Sequence, residues 1–135
     1  MKPSPPVTKR RPAPVRVAAG ATPRRARPGR VYLALSTAPA PAARRIARAL
    51  VDARLAACVN LLPKITSVFR WEGRVDRTAE SLLLIKTTGG ALRRCRARLE
   101  RLHPYEVPEW IAVEVDEVAD PFRRWIEASI RKSTP

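Results

Sequence analysis

The sequence predicts an α+β domain in which four strands and two helices follow the order strand, helix, strand, strand, helix, strand. Short apolar runs typical of strands alternate with two longer segments whose apolar residues recur at helical spacing. A glycine at a tight reversal joins two of the strands, which makes that pair antiparallel. The 135 residues, 45% of them apolar, are enough for one domain with its own core.

The first strand and the first helix are predicted from the apolar pattern. Residues 30–36 form a nearly continuous apolar run, which is typical of a strand in the middle of a sheet. Pro39 and Pro41 follow this run, and Thr37 is a candidate cap. A helix is predicted over residues 41–55, because its apolar residues fall on one face and its arginines on the other.

A long β-hairpin is predicted over residues 57–87. Apolar residues recur at every second position before the reversal, and a second apolar stretch follows it. Gly73, which comes after Trp71 and Glu72, supplies the tight reversal. Because Pro63 cannot donate a hydrogen bond to a β-ladder, we expect a bulge or a bend at that position.

The second helix has the clearest amphipathic pattern in the chain. It is predicted to begin after two glycines and to end before Pro104. Arginines surround its apolar positions, which are Leu92, Cys95, Leu99 and Leu102.

The last strand and a terminal helix complete the predicted domain. Apolar and polar residues alternate from residue 111 to residue 116, which is typical of a strand with one exposed face. Asp120 and Pro121 then have the order of an N-cap followed by a first helical residue. The apolar side of this helix is predicted to consist of Phe122, Trp125, Ile126 and Ile130.

This order of elements is that of the ferredoxin-like fold, a βαββαβ antiparallel sheet with two helices on one face. Here an extra C-terminal helix is added. The other face of such a sheet is uncovered, and the predicted hairpin is too long to pack within one small subunit. Apolar sheet surface and free strand edges are usually covered by another chain. We therefore expect a symmetric homo-oligomer.

The positive charge is unevenly distributed along the chain. The sequence has 27 basic and 12 acidic residues, a formal net charge of +15, and residues 1–29 hold eight basic residues, seven of the 14 prolines and no acidic residue. Such a segment cannot bury enough apolar area to offset the entropy of ordering it. We predict a disordered basic extension rich in proline and arginine at residues 1–29, a folded domain at residues 30–131 and a short tail at residues 132–135.

The composition also bears on location and on the class of function. No apolar run reaches membrane-spanning length, so we expect no membrane partner. Cys58 and Cys95 do not form a disulfide framework, which favours a cytoplasmic protein. One histidine, no Ser/His/Asp or Cys/His constellation and no Gly-rich phosphate loop make an enzyme unexpected. Nucleic-acid binding through the extension is the least favoured function, because the extension lacks aromatic residues for base stacking.

The stretch of residues 103–109, HPYEVPE, carries the densest group of chemically active side chains. Its two prolines stiffen the backbone on both sides of Tyr105. His103 is the only histidine, and a neutral imidazole is a common metal ligand. The alternative is that His103 interacts with the carbonyl groups at the end of its helix. Either Glu106 or Glu109, or copies of His103 from three subunits, could complete a metal site.

Four blocks of the sequence resemble the CutA family of divalent-cation tolerance proteins. They are ARLAACVN at residues 53–60, WEG at 71–73, LIKT at 84–87 and HPYEVPE at 103–109. The resemblance extends over residues 31–130. It implies an interlocked homotrimer of ferredoxin-like subunits similar to the PII signalling proteins. It also implies copper or other divalent-cation binding in some members, and a role in metal tolerance.

The resemblance directs attention to a metal site at His103, Cys58 and Glu109. A thiolate at Cys58 would favour copper(I), whereas the apolar neighbours of this residue favour a small buried side chain. Some relatives have a cysteine where this chain has Ser36 and a further histidine where it has Leu102. Both differences remove metal donors, which puts copper binding in doubt.

A small-molecule site is the alternative to the metal site. A PII-like sensor would hold a small anionic ligand in clefts between subunits, with Lys86, Tyr105, Glu106 and Trp71 as the candidate residues. Lys86 interrupts an apolar strand, and it either enters such a cleft or extends to solvent. Trp71 either contributes to the cleft or packs at the hairpin tip.

Overall fold

The computed structural model of the protein describes residues 25–131. The prediction of disorder for most of the extension, and the predicted tail at residues 132–135, lie outside the described residues. The predicted order of strands and helices, followed by a C-terminal helix, is confirmed, and the fold is α+β. The elements are β1 (Val31–Ala38), α1 (Ala40–Asp52), β2 (Cys58–Trp71), β3 (Arg74–Thr88), α2 (Gly89–Leu102), β4 (Ile111–Glu114) and α3 (Asp120–Ile130).

The four strands form one antiparallel sheet in the order β2-β3-β1-β4. The two helices α1 and α2 pack on one face, and their apolar residues are buried against alternate residues of β1 and β3. Ile46, Leu50, Cys95 and Leu99 are fully buried there. Burial raises the pKa of the Cys95 thiol to about 12, so this thiol is unreactive at neutral pH.

The predicted hairpin and its irregularity are both confirmed. A two-residue turn joins β2 to β3, and both turn residues have positive φ, 49° at Glu72 and 77° at Gly73, as a type I′ hairpin turn requires. The register of β2 against β3 shifts between Leu62 and Ile65. Lys64 there has a φ of 58°. A bulge therefore lies next to Pro63, the residue that has no backbone N–H to donate to the ladder.

The hairpin extends beyond the rest of the sheet. β1 ends at Ala38, which lies opposite Ser81, so the residues of β3 before Ser81 have only β2 as a neighbour. We call residues 65–71 and 74–80 the hairpin arm. Its outer surface is apolar in part, because the side chains of Val68 and Val75 are 70% and 62% exposed.

The second face of the sheet is only partly covered. Residues opposite one another on neighbouring strands share a face, and the register therefore defines which residues lie on this side. We call it the open face, and its residues are Val31, Leu33, Leu35, Thr37, Cys58, Asn60, Leu62, Leu82, Leu84, Lys86, Thr88, Ile111 and Val113. α3 covers one end of this side, where the buried Ile126 packs with Val31 and Ala57. Elsewhere Leu62 and Ile111 are about half exposed.

Several predicted element boundaries are wrong. Thr37 belongs to β1 and does not cap α1, since Pro39 is the N-cap and the helix ends at Asp52. Asp120 is the first residue of α3 and not its N-cap. On the predicted apolar side of α3, only Ile126 is buried. The side chains of Phe122 and Trp125 stack on one another with ring centroids 5.5 Å apart and remain nearly half exposed.

The last residues before β1 contact the sheet. The guanidinium group of Arg27 donates two hydrogen bonds to the carboxylate of Glu114 on β4, one of 2.9 Å from Nε to Oε1 and one from a terminal nitrogen to Oε2. Tyr32 donates a third to the same carboxylate at 3.0 Å. These donors, with Arg27 the strongest, lower the pKa of Glu114 to about 2.

Candidate cation-binding pocket

A pocket lies where the hairpin arm meets the loop after α2. The loop crosses beyond the end of β1 to reach β4, and the space between it and the arm has a volume of about 340 Å³. Its lining residues come from β1, β2, β3 and the loop, and they are Thr37, Ser67, Val68, Phe69, Trp71, Glu80, Tyr105, Val107 and Glu109.

Glu80 provides a buried carboxylate in this pocket. It lies on β3 opposite Ile65, immediately before the part of the strand that pairs with β1, and it is only 5% exposed. The phenol of Tyr105 donates a hydrogen bond to Glu80 Oε2 at 2.8 Å. The loop is thereby connected to the arm.

Glu109 is the second carboxylate of the pocket. Burial raises its pKa above the ordinary value, and repulsion from Glu80 raises it further. The backbone of Glu109 is held in place, because the buried hydroxyl of Ser36 donates to its carbonyl oxygen at 2.7 Å. The pocket thus contains two acidic groups, and among the described residues that line it none is basic.

Aromatic side chains make up much of the remaining wall. Phe69, Trp71 and Tyr105 all line the pocket. Trp71 Nε1 is buried and has no hydrogen-bond partner among the described residues. A buried N–H without an acceptor is costly, so this indole is suited to donate to a group that enters from outside the subunit.

His103, the predicted metal ligand, has both ring nitrogens engaged. Nε2 lies 2.8 Å from the carbonyl oxygen of Thr37, and because a carbonyl only accepts, Nε2 carries the proton. Nδ1 accepts a hydrogen bond from the backbone N–H of Tyr105 at 3.1 Å. The ring is buried, and burial lowers its pKa. In this arrangement the imidazole fixes the loop, and neither nitrogen has a free lone pair for a metal ion.

Cys58 and Lys86 lie elsewhere, opposite one another on the open face. The ammonium group of Lys86 is 3.9 Å from the Cys58 sulfur. Both side chains are half-buried, and so the interpretation of Cys58 as a small buried side chain does not hold in the single subunit.

The structure therefore divides the predicted site residues into groups. It brings Trp71, Tyr105 and Glu109 together in one pocket, and it places Lys86 with Cys58 on the open face. Glu106 is half-buried in the loop and does not line the pocket. Sequence reasoning missed Glu80, although an acidic residue at the entry to an apolar strand was a usable signal.

The donors present do not form a copper site within one subunit. Over residues 25–131, no three His, Cys, Asp or Glu side chains are grouped so that they could hold a metal ion. Copper prefers nitrogen and sulfur donors. His103 and Cys58, which could supply such donors, lie in different parts of the subunit. Both ring nitrogens of His103 are already hydrogen-bonded. The two pocket carboxylates fit a hard cation better, since such ions take oxygen ligands.

The fold and the pocket define a ferredoxin-like α+β subunit with an acidic, aromatic-lined pocket and an incompletely covered sheet. The family model described as CutA1 divalent ion tolerance protein matches residues 32–129. The chain belongs to this family, as its sequence blocks suggested. The names of the family and of the relatives below indicate no catalytic activity.

Curated relatives and solved structures agree with this assignment. The chain is 42% identical over 100 residues to "Protein CutA" of Mus musculus, covering 73% of this chain and 56% of that protein. It is 48% identical over 84 residues to the divalent-cation tolerance protein CutA of Thermus thermophilus, covering 62% of this chain and 82% of the relative. The chain thus spans little more than half the length of the mouse relative.

Two solved structures show the same subunit fold. CutA from Xylella fastidiosa superposes with a TM-score of 0.73 at 45% identity, covering 75% of this chain and 98% of the other. A protein described as the PII-like protein CutA from Nostoc, in apo form, superposes with a TM-score of 0.71 at 34% identity, covering 74% and 97%. Among the described helices, none has the length and apolar character needed to cross a membrane.

Proposed function

We propose that this protein acts in divalent-cation tolerance as a homotrimer, in a metal stress or homeostasis role, and that Glu80 and Glu109 hold a cation in the pocket. The observation that carries the proposal is the pair of carboxylates in one pocket without a basic partner among its lining residues. Two interacting acidic groups in a partly buried site are stabilised by a positive charge. A cytoplasmic location is part of the proposal, and the free thiols of Cys58 and Cys95 are consistent with it.

The pocket favours a cation over the anionic ligand of a PII-like sensor. Lys86, the residue expected to hold an anion, belongs to the open face and not to the pocket. Glu80 and Glu109 would repel an anion at short range. The pocket therefore does not suit the anionic ligand of such a sensor.

The homotrimer is supported by the surface that a single subunit leaves exposed. On the open face, Ile111 is 52% exposed and Val113 is 48% exposed. Together with the half-buried leucines of β1 and β3 they form a contiguous apolar surface, which is typical of an interface. Sedimentation velocity of the wild-type protein at micromolar concentration is expected to show a trimer.

A charged variant of the open face tests this assembly. The double change Ile111→Asp and Val113→Asp is expected to dissociate the trimer, because it would bury two carboxylates without partners. The matched control is Val51→Asp, which changes an exposed valine of α1 and is expected to leave the trimer intact. A compact monomer formed by the wild-type protein would contradict the proposal.

The cation site is tested by titrating the trimer with Mn²⁺ in a calorimeter. Mn²⁺ accepts oxygen donors, so Glu80→Gln and Glu109→Gln are each expected to weaken binding at least tenfold. Glu117→Gln, which changes an exposed glutamate outside the pocket, is the control and is expected to bind as the wild type does. Unchanged affinity in both pocket variants would remove the cation from this site.

A further inference from the structure

The pocket is much larger than a metal ion needs. Its volume of about 340 Å³ lies within the range of roughly 300–1,000 Å³ that is usual for small-molecule sites. One water occupies about 30 Å³ in the liquid, so the space accommodates roughly ten groups of that size. A bare ion bound to Glu80 and Glu109 would leave most of this volume unused.

The chemistry of the wall indicates which kind of molecule fits. Carboxylates attract a positive charge, and the faces of aromatic rings attract an organic cation. Both kinds of group line the same cavity, with Glu80 and Glu109 as the acids and Phe69, Trp71 and Tyr105 as the aromatic residues. A metal ion with its tightly held water does not benefit from aromatic walls, whereas an alkylammonium group does.

Trp71 adds a requirement for an oxygen atom on the ligand. Its indole Nε1 is a donor only, it is buried, and it lacks a partner among the described residues. The group that satisfies it must therefore be an acceptor. Tyr105 already donates its phenolic hydrogen to Glu80, and an oxygen atom of the ligand would supply the acceptor that the indole lacks.

We propose that the pocket binds a small organic ammonium compound that also carries an oxygen acceptor. The ammonium group is held by the carboxylates of Glu80 and Glu109, and the oxygen accepts a hydrogen bond from Trp71 Nε1. This inference rests on the proposed function in one respect, since both place a positive charge at the two glutamates. It differs in naming an organic molecule as the occupant.

The test uses the full-length protein in its native oligomer, in phosphate buffer, and measures binding by calorimetry. The probe is choline, which has an ammonium group and a hydroxyl oxygen. The wild-type protein is expected to bind choline at least tenfold more tightly than 3,3-dimethylbutan-1-ol, a neutral molecule of the same shape. Glu109→Gln is expected to lose this preference, and Glu117→Gln is expected to keep it.

A second pair of probes isolates the indole donor. Tetramethylammonium has the charge but no oxygen, so the wild-type protein is expected to bind it several-fold more weakly than choline. Trp71→Phe keeps an aromatic ring and removes the N–H. The difference between choline and tetramethylammonium is expected to disappear in this variant, while its circular dichroism and sedimentation stay as in the wild type.

The outcomes separate this inference from the proposed function. Binding of Mn²⁺ without binding of choline overturns the inference and leaves the proposed metal site standing. Binding of choline without binding of Mn²⁺ supports the inference and removes the metal from the pocket. Equal affinity for choline and its neutral analogue overturns the inference, as does a crystal structure in which a side chain of a neighbouring subunit fills the pocket.

Discussion

Tyr105 donates its phenolic hydrogen to Glu80 Oε2 at 2.8 Å, and this bond joins the loop after α2 to the hairpin arm. Glu80 is 5% exposed, so water cannot easily replace the phenol. The loop is held at a second point by His103, whose ring lies against β1. The wall of the pocket therefore depends on two hydrogen-bonded side chains that come from the same short loop.

Removing the phenol tests the first of these connections. Tyr105→Phe leaves a buried carboxylate oxygen without its donor, and such a loss costs about 1–3 kcal/mol. We expect the free energy of unfolding to fall by that amount, measured by urea denaturation at fixed protomer concentration. In the background of Glu80→Gln the same change is expected to cost clearly less, because the two residues interact. Equal costs in both backgrounds would show that the bond does not stabilise the fold.

His103 is expected to make stability depend on pH. Burial lowers its pKa in the folded protein, so the unfolded chain binds a proton more readily. The contribution of the neutral ring is fully present above the ordinary pKa of about 6.5 and is lost as pH falls below it. We expect the urea midpoint of the wild type to be lower near pH 5.5 than near pH 7.5. In a His103→Gln variant, the difference in urea midpoint between these two pH values is expected to be smaller.

A second titratable group in the same loop, the carboxyl group of Glu109, provides the control for this prediction. Glu109 has a raised pKa, and its protonation therefore favours the folded protein as pH falls, which is the opposite sign. Glu109→Gln is expected to make the loss of stability toward low pH steeper. A His103→Gln variant with the same pH dependence as the wild type would show that the imidazole is not the group responsible.

Two adjacent glycines at the start of α2 are expected to differ sharply in their tolerance of alanine. A Cβ at Gly89 would lie 2.0 Å from the backbone oxygen of Arg27, whereas one at Gly90 would be 3.7 Å from its nearest neighbour, the oxygen of Pro28. Gly89→Ala is expected to cost about 1–3 kcal/mol, as overpacking does. Gly90→Ala is expected to be neutral or to stabilise by up to about 1 kcal/mol through helix propensity. Thermal unfolding of the two variants compares them directly.

Most of the fold could be predicted because its signals are local. The reversal at Gly73, the bulge next to Pro63 and the helical spacing of Cys95 and Leu99 each depend on residues close together in sequence. The helix caps were placed one or more residues away from their true positions. Thr37 continues β1, because strand pairing with Leu82 overrides its preference for a capping position.

The site could be predicted only in part, because its contacts join distant segments. The ring of His103 bonds to a carbonyl of Thr37, 66 residues away, and no spacing in the sequence indicates such a partner. The same applies to Glu80, which reaches Tyr105 across 25 residues. Residue types identified the loop as the chemical centre, but they did not distinguish a metal ligand from a side chain that positions the loop.

The pH dependence of cation binding is expected to report the state of Glu109. Because the pKa of Glu109 is raised, its carboxylate takes up a proton at a higher pH than an exposed glutamate of pKa 4.5 does. The neutral carboxyl group no longer attracts a cation. Choline keeps its charge at every pH, so its affinity is expected to fall, through the protein alone, as the pH is lowered and Glu109 takes up its proton. Bound choline favours the ionised carboxylate, and binding near the lower pH is expected to release protons. The Glu109→Gln variant is expected to bind weakly with a flat profile. His103→Gln is the control. If the dependence of choline affinity on pH is unchanged in that variant, the titrating group is the carboxyl group. A flattened dependence would assign the titration to the imidazole.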